Sequence, residues 1–126
     1  MTTSTRILIV DDHAPVRDGI RAFLEHKTPF EVCGEAGDGL TAIARASELK
    51  PDLIVMDLAM PLLNGVEAAS IVKSAMPDVK IVAVSMYAAE LETASASRHF
   101  DAILPKSSGL TLLAETIRRL LTHKNM

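Results

Sequence analysis

The chain contains 126 residues with a net charge of −3, and 48% of its residues are hydrophobic. This length suits one domain, and the composition excludes an intrinsically disordered chain. No apolar stretch approaches the roughly 20 residues of a membrane span, no secretory signal is visible, and the single cysteine, Cys33, excludes an intramolecular disulfide framework. The acidic charge and the scarcity of aromatic residues disfavour a domain dedicated to nucleic acid. We therefore expect one cytoplasmic domain without a membrane segment.

The first predicted strand, residues 7–10, precedes a helix with an apolar face. That face consists of Val16, Ile20, Phe23 and Leu24. Pro15 suits the first turn of this helix, because proline lacks the N–H that a first turn leaves unpaired anyway. A second strand is predicted over residues 31–35 and a second helix from Leu40 to about Lys50, which precedes a proline.

The third predicted strand, residues 53–56, is followed by a helix that opens after Gly65. A fourth strand, residues 80–84, is followed by a weakly amphipathic helix at 89–97. The chain closes with a strand at 102–104 and a helix whose apolar face consists of Leu110, Leu113, Ile117, Leu120 and Leu121. Five alternating pairs predict an α/β fold, (βα)5, with a parallel sheet covered by helices on both faces.

Polar residues follow four of the predicted strands. They are Asp11 and Asp12 after the first strand, Asp57 after the third, Ser85 after the fourth and Lys106 after the fifth. Ligands of open parallel sheets bind outside the carboxyl ends of the strands, which lie along one edge. We therefore expect these residues to converge there.

The acidic residues of this group point to a bound cation. Three carboxylates at one edge repel one another unless a cation lies among them. Oxygen ligands without a nearby cysteine favour Mg²⁺, with Mn²⁺ as the alternative, over zinc. Asp57 is then suited to attack phosphorus as a nucleophile, while Lys106 neutralises charge and Ser85 donates a hydrogen bond to a phosphoryl oxygen.

Together these residues resemble the receiver domain of two-component response regulators, the phosphoacceptor partners of histidine kinases. The resemblance rests on ILIVDDH at 7–13, DLIVMDLAMPLLNG at 52–65, AVSMY at 83–87 and the surroundings of Lys106. The segments DDHAPVRDGI, EVCGEAGDG and KSSGLTLLAETIRRLL are most similar to the NarL/FixJ class, whose receivers usually precede a LuxR-type helix-turn-helix domain. The resemblance implies a flavodoxin-like doubly wound sheet with strand order 2-1-3-4-5. It also implies a single receiver domain over residues 1–126 and an effector domain that is absent from this chain.

The resemblance also implies a role for each site residue. The phosphoacceptor is Asp57, and the Mg²⁺ ligands are Asp12, Asp57 and the carbonyl of Ala59, with Asp11 acting through metal-bound water. Ser85 and Lys106 would contact the phosphoryl group and report it to the face of the fourth helix, fifth strand and fifth helix. The implied partners are a sensor histidine kinase and a second copy in a homodimer, while DNA is reached only through the missing effector domain. The implied activity is that of a phosphoacceptor signalling domain, with self-phosphorylation and self-dephosphorylation as its only chemistry, and not that of an enzyme.

The switch region departs from the family pattern. It comprises Ser85, Tyr87, Ile103 and Lys106. Ile103 stands where receivers commonly carry an aromatic switch residue, and Tyr87 or Phe100 are candidate substitutes. Pro105 precedes the lysine and Ser107 follows it, so the cis proline peptide that the family often has after the lysine cannot form. Pro105 is best accommodated in an edge strand.

Three other classes of protein compete with this interpretation. A flavodoxin-like FMN carrier needs a phosphate loop after the first strand, where Asp11 and Asp12 would repel phosphate. A metal-dependent phosphohydrolase needs a second acid two positions after the nucleophile, where this chain has Ala59. The third is a receiver that acts through protein–protein contacts, either as a stand-alone domain or without phosphorylation. His13 is expected to begin the loop to the first helix rather than bind metal, and Cys33 to be a buried apolar residue.

Overall fold

The computed structural model describes residues 4–60, 62–85 and 98–124 and confirms the predicted α/β architecture. Five parallel strands form one sheet in the order β2-β1-β3-β4-β5. The strands are β1 (Arg6–Val10), β2 (Glu31–Ala36), β3 (Leu53–Asp57), β4 (Lys80–Ser85) and β5 (Ala102–Pro105). Every strand bound lies within one residue of its predicted position.

Helices connect the strands and cover both faces of the sheet. They are α1 (Ala14–Lys27), α2 (Gly39–Leu49), α3 (Gly65–Ala75) and the C-terminal helix (Leu110–Lys124), which a short 3-10 turn at Lys106–Ser108 precedes. The helix predicted at 89–97 lies outside the described residues. Within the described ranges, no helix has both the length and the apolar character needed to cross a membrane.

Local sequence explains where the helices begin. The side chain of Asn64 caps α3 by accepting a hydrogen bond from the backbone N–H of Glu67 at 2.9 Å. Asp38 caps α2 in the same way, through Thr41 at 2.7 Å. Pro15 occupies the first turn of α1 as predicted. These caps satisfy N–H groups that have no partner within the helix.

The sheet separates two apolar clusters. Along β1, Ile7 and Ile9 belong to the cluster under α1 and the C-terminal helix, whereas Leu8 and Val10 belong to the cluster under α2 and α3. This alternation follows from the two-residue period of a strand. Leu40, where the second helix was predicted to begin, is 56% exposed. The helix packs through small residues, Gly39, Ala42 and Ala46, and at Gly39 it approaches the β3–α3 loop closely.

The last strand of the sheet ends in proline. β5 lies at the edge of the sheet and pairs with β4, so that Pro105 is opposite Ser85. A proline there removes a backbone donor at a position where no further strand of this sheet requires one. The structure thus confirms the expectation that the strand carrying Pro105 is an edge strand.

Candidate functional site

Four of the five predicted site residues lie at the carboxyl ends of three adjacent strands, as expected, and the fifth follows β5. Asp11 and Asp12 directly follow β1, while Asp57 and Ser85 are the last residues of β3 and β4. Asp11, Asp57 and Ser85 are among the few buried polar residues of the described chain, each with no more than 4% of its surface exposed. Burying polar groups in a row costs free energy unless partners compensate for it. The arrangement therefore makes this edge the candidate functional site.

Lys106 provides that compensation for two of the carboxylates. Its Nζ lies 3.5 Å from Oδ2 of Asp11 and 3.5 Å from Oδ2 of Asp57. One ammonium group thus faces two buried acids at the same distance. The structure brings Asp11, Asp57 and Lys106 into one electrostatic group with a net negative charge.

His13 also belongs to the cluster, which the sequence analysis did not expect. It is the N-terminal capping residue of α1, and its Nδ1 lies 3.1 Å from Oδ1 of Asp12 and 3.6 Å from Oδ1 of Asp11. Donor atoms of Asp11, Asp12 and His13 all lie within 4.8 Å of one another, a spacing that could hold a metal ion. The Asp12 side chain is 29% exposed and thus open to solvent on one side.

The electrostatics of Asp57 favour a positive partner. Burial raises the pKa of this carboxyl above its ordinary value, and the nearby negative charge of Asp11 raises it further. The backbone N–H of Ala59, which donates to Oδ1 at 3.2 Å, and the Lys106 ammonium act in the opposite direction without cancelling the shift. A hard divalent cation with oxygen ligands would relieve this repulsion, so the donor set fits Mg²⁺.

Two glycines allow the helices α2 and α3 to approach the loop that follows Asp57 closely. A Cβ atom on Gly65 would lie 2.7 Å from the carbonyl oxygen of Asp57 and 2.8 Å from Cα of Leu58, closer than real Cβ atoms approach other atoms. A Cβ atom on Gly39 would overlap the carbonyl of Leu63. The starts of α2 and α3 therefore pack directly against this loop. The sequence indicates Gly65 as a helix start but does not reveal this close approach.

Arg17 and Glu35 are site neighbours that the sequence analysis missed. Arg17 donates from Nη1 to the backbone carbonyl of Asp11 at 2.6 Å and from Nε to Glu35 at 3.0 Å. The sequence shows Arg17 and Glu35 only as two charged residues that are distant along the chain, with no sign that they form an ion pair. A hydrogen bond to a backbone carbonyl leaves no trace in the sequence at all.

The structure describes the switch region only in part. Ile103 is half-buried and packs against the cluster under α2 and α3, to which the buried Phe100 also belongs. Phe100 is therefore a core residue in this structure. Tyr87 and Pro61 lie outside the described residues. Ala59 is exposed beside Asp57, with its N–H directed to that carboxylate.

Cys33 lies in β2 and is partly buried, close to the expectation for a small apolar residue. Burial raises the pKa of its thiol above the ordinary value. The thiol is therefore mostly protonated at neutral pH and is a poor nucleophile.

Comparisons with known proteins agree with this geometry. The family model for the response regulator receiver domain matches residues 7–118. The response regulator protein VraR of Staphylococcus saprophyticus is 40% identical over 121 residues, which cover 95% of this chain and 57% of VraR. This chain thus spans little more than half the length of that relative.

Solved structures extend the comparison. A LuxR-family two-component response regulator from Aurantimonas sp. SI85-9A1 superposes with a TM-score of 0.87 at 30% identity, covering 96% of this chain and 87% of that one. RcsB from Salmonella enterica, bound to promoter P1flhDC in the presence of the phosphomimetic BeF3⁻, gives a TM-score of 0.84 at 25% identity, covering 96% and 62%. These likenesses confirm the predicted class. The chain belongs to the response regulator receiver family and, within it, to the NarL/FixJ class.

Proposed function

We propose that this receiver accepts a phosphoryl group from a phosphohistidine of a sensor kinase on the carboxylate of Asp57, with Mg²⁺ bound beside it. The observation that carries the proposal is the burial of Asp57 at the end of the central strand β3, within 3.5 Å of the Lys106 ammonium. A carboxylate in that position costs stability, which a purely structural role does not explain.

The transfer step is a displacement at phosphorus. A carboxylate oxygen of Asp57 forms the new P–O bond while the P–N bond to the kinase imidazole breaks. The imidazole keeps the electron pair and takes up a proton. Lys106 would neutralise negative charge near the transferred group, and Ser85, which is buried at the end of β4, would donate a hydrogen bond to a phosphoryl oxygen.

Mg²⁺ would be held by Asp12, Asp57 and the carbonyl of Ala59, with Asp11 acting through a water molecule. When bound, the ion neutralises charge on the acidic cluster and on the phosphoryl oxygens. The raised pKa of Asp57, which burial and the charge of Asp11 cause, supports this assignment. His13 lies close to Asp11 and Asp12, so its imidazole would be near an ion held by these acids.

The output of the full-length protein would be transcription regulation. Phosphorylation adds charge and acceptor oxygens beside Ser85 and Lys106. This would shift the equilibrium between conformations of the face that includes β5 and the C-terminal helix. The greater length of VraR and the promoter-bound state of RcsB support a DNA-binding effector domain beyond this receiver. A homodimer of receivers would couple phosphorylation of Asp57 to DNA binding by the effector domain.

Phosphorylation by acetyl phosphate tests the proposal. With Mg²⁺ present, intact-mass analysis is expected to show one added phosphoryl group on the wild-type chain and on Asp78→Asn, an exposed control. Asp57→Asn is expected to fold and remain unmodified, and EDTA is expected to prevent labelling of the wild type. Labelling of Asp57→Asn at another residue would contradict the proposal. Rapid turnover to free phosphate would instead favour a hydrolase.

A further inference from the structure

Both backbone polar groups of Asp11 are hydrogen-bonded to neighbouring elements. Its N–H donates to the carbonyl of Ala36 at 3.0 Å, and its carbonyl accepts from Nη1 of Arg17 at 2.6 Å. A short hydrogen bond from a guanidinium is among the strong ones in proteins. Because the Asp11 carbonyl belongs to the planar peptide that leads into Asp12, this bond fixes the orientation of that peptide.

The guanidinium of Arg17 is itself held in place by β2. Its Nε donates to Oε1 of Glu35 at 3.0 Å, while Arg21, one turn later in α1, donates to Oε2 at 2.6 Å. Glu35 is anchored in the sheet opposite Ile9 of β1. Burial by itself would raise the pKa of Glu35, but the hydrogen bonds from the two arginines outweigh it and hold that pKa below the ordinary value. The carboxylate is therefore ionised and holds both arginines.

The two acids at the end of β1 need such a device. Successive side chains of an extended strand point to opposite faces, so adjacent aspartates do not face one ion unless the chain turns between them. Here the chain does turn. Oδ1 of Asp11 accepts the N–H of His13 at 2.8 Å, and Oδ1 of Asp12 lies beside the imidazole of the same residue. The orientation of the intervening peptide decides where the two carboxylates point relative to each other.

We propose that Arg17 is a positioning residue for the metal site. Its hydrogen bond to the carbonyl of Asp11, anchored by Glu35, orients the Asp11–Asp12 peptide so that both carboxylates face one cation. The identity of the cation rests on the proposed function, whereas the positioning of the peptide does not. Groups that orient metal ligands from outside typically change metal affinity about 10-fold or more when removed.

Arg21 offers a matched control. It lies on the same helix as Arg17 and binds the same carboxylate of Glu35, but its other partner among the residues that the structure describes is Glu25 rather than Asp11. Arg17→Ala and Arg21→Ala both remove a charged partner of Glu35, so both are expected to lower stability to a similar extent. Only Arg17→Ala removes the bond to the peptide of Asp11.

Two measurements separate positioning from stability. In a Mg²⁺ titration followed by backbone amide chemical shifts, the dissociation constant of Arg17→Ala is expected to rise about 10-fold, and that of Arg21→Ala to stay within about twofold. In the metal-free protein, hydrogen exchange at the amide of His13, which donates to Asp11, is expected to accelerate in Arg17→Ala alone. Arg17→Lys, which keeps a donor for the carbonyl, is expected to restore part of the affinity.

Each result decides the matter. Equal loss of Mg²⁺ affinity in Arg17→Ala and Arg21→Ala, or unchanged exchange at His13 in Arg17→Ala, would overturn the positioning role. Absence of Mg²⁺ binding in the wild type would overturn the proposed function, while the exchange comparison would still decide the role of Arg17. If Arg17→Ala does not fold, Glu35→Ala replaces it, because this variant removes the acceptor that anchors the guanidinium and keeps the guanidinium itself. This variant is then expected to show both weaker Mg²⁺ binding and faster exchange at the amide of His13. If neither quantity changes, the proposal is wrong.

Discussion

The ammonium nitrogen of Lys106 lies 3.5 Å from Oδ2 of Asp57, although the strands that present them are not neighbours in the sheet. Asp57 ends β3 and Lys106 follows β5, so the lysine side chain reaches across the end of β4. In doing so it places a positive charge between two buried carboxylates, those of Asp57 and Asp11. The stability of the metal-free protein should depend on this charge.

Replacing Lys106 with methionine tests that dependence. Lys106→Met keeps most of the side chain but leaves two buried carboxylates without their cation, so we expect the free energy of unfolding without metal to fall by about 1–3 kcal/mol. Mg²⁺ should restore more stability to this variant than to the wild type, because the ion supplies the missing charge. Urea unfolding with and without Mg²⁺ measures both effects. Arg45→Met, which removes an exposed ion pair with Glu48, is the control and should change stability by no more than about 0.5 kcal/mol.

Two glycine substitutions of equal size should have opposite effects. In Gly65→Ala the new methyl group would lie within 3 Å of the backbone of Asp57 and Leu58, so we expect both a loss of stability and slower phosphorylation. Gly19 lies within α1 with no atom in the path of a Cβ, so Gly19→Ala should raise stability by about 0.5–1 kcal/mol through helix propensity. Thermal unfolding and acetyl phosphate labelling of the two variants measure the difference. If the two variants have equal stability and equal labelling rates, the loop after Asp57 accommodates the methyl group without loss of stability, and the prediction is wrong.

Leu62 is strained by its backbone rather than by its contacts. It has a φ of 68° and is 77% exposed, so its side chain gains little from burial while its Cβ opposes the left-handed conformation. We expect Leu62→Gly to be more stable than Leu62→Ala by about 1 kcal/mol, because both lose the exposed side chain but only glycine loses the Cβ. Urea unfolding of the pair provides the measurement. A more stable alanine variant would mean that the loop relaxes to a negative φ.

The pH dependence of stability should contain a contribution from Glu35. Burial opposes its ionisation, but hydrogen bonds from Arg21 and Arg17 prevail and lower its pKa from the ordinary 4.5. A lowered pKa stabilises the folded state above the ordinary value, and this stabilisation is lost as the pH falls through the lower folded value. Glu35→Gln should therefore be less stable than the wild type at pH 7, and the gap should close in acid. Unfolding free energies across that range measure it, and a gap that widens in acid would contradict the assignment.

Most of the fold was predictable because buried parallel strands appear in the sequence as short apolar runs, and the rule for strand ends then located Asp11, Asp57, Ser85 and Lys106. Contacts made by the backbone were not predictable. Arg17 binds the backbone carbonyl of Asp11, and because every residue has such a carbonyl, the sequence does not indicate this contact. Similarly, the close approach of Gly39 to Leu63, in a loop that is distant along the chain, cannot be read from the sequence.

Pro105 also bears on how copies of this domain can associate. The free edge of β5 would otherwise present backbone donors and acceptors to a strand of another molecule, the usual beginning of edge-to-edge aggregation. A proline beside the phosphoacceptor end of that edge removes one donor and limits such pairing there. Copies of this domain at high concentration would therefore meet through side chains rather than by extending one another's sheets.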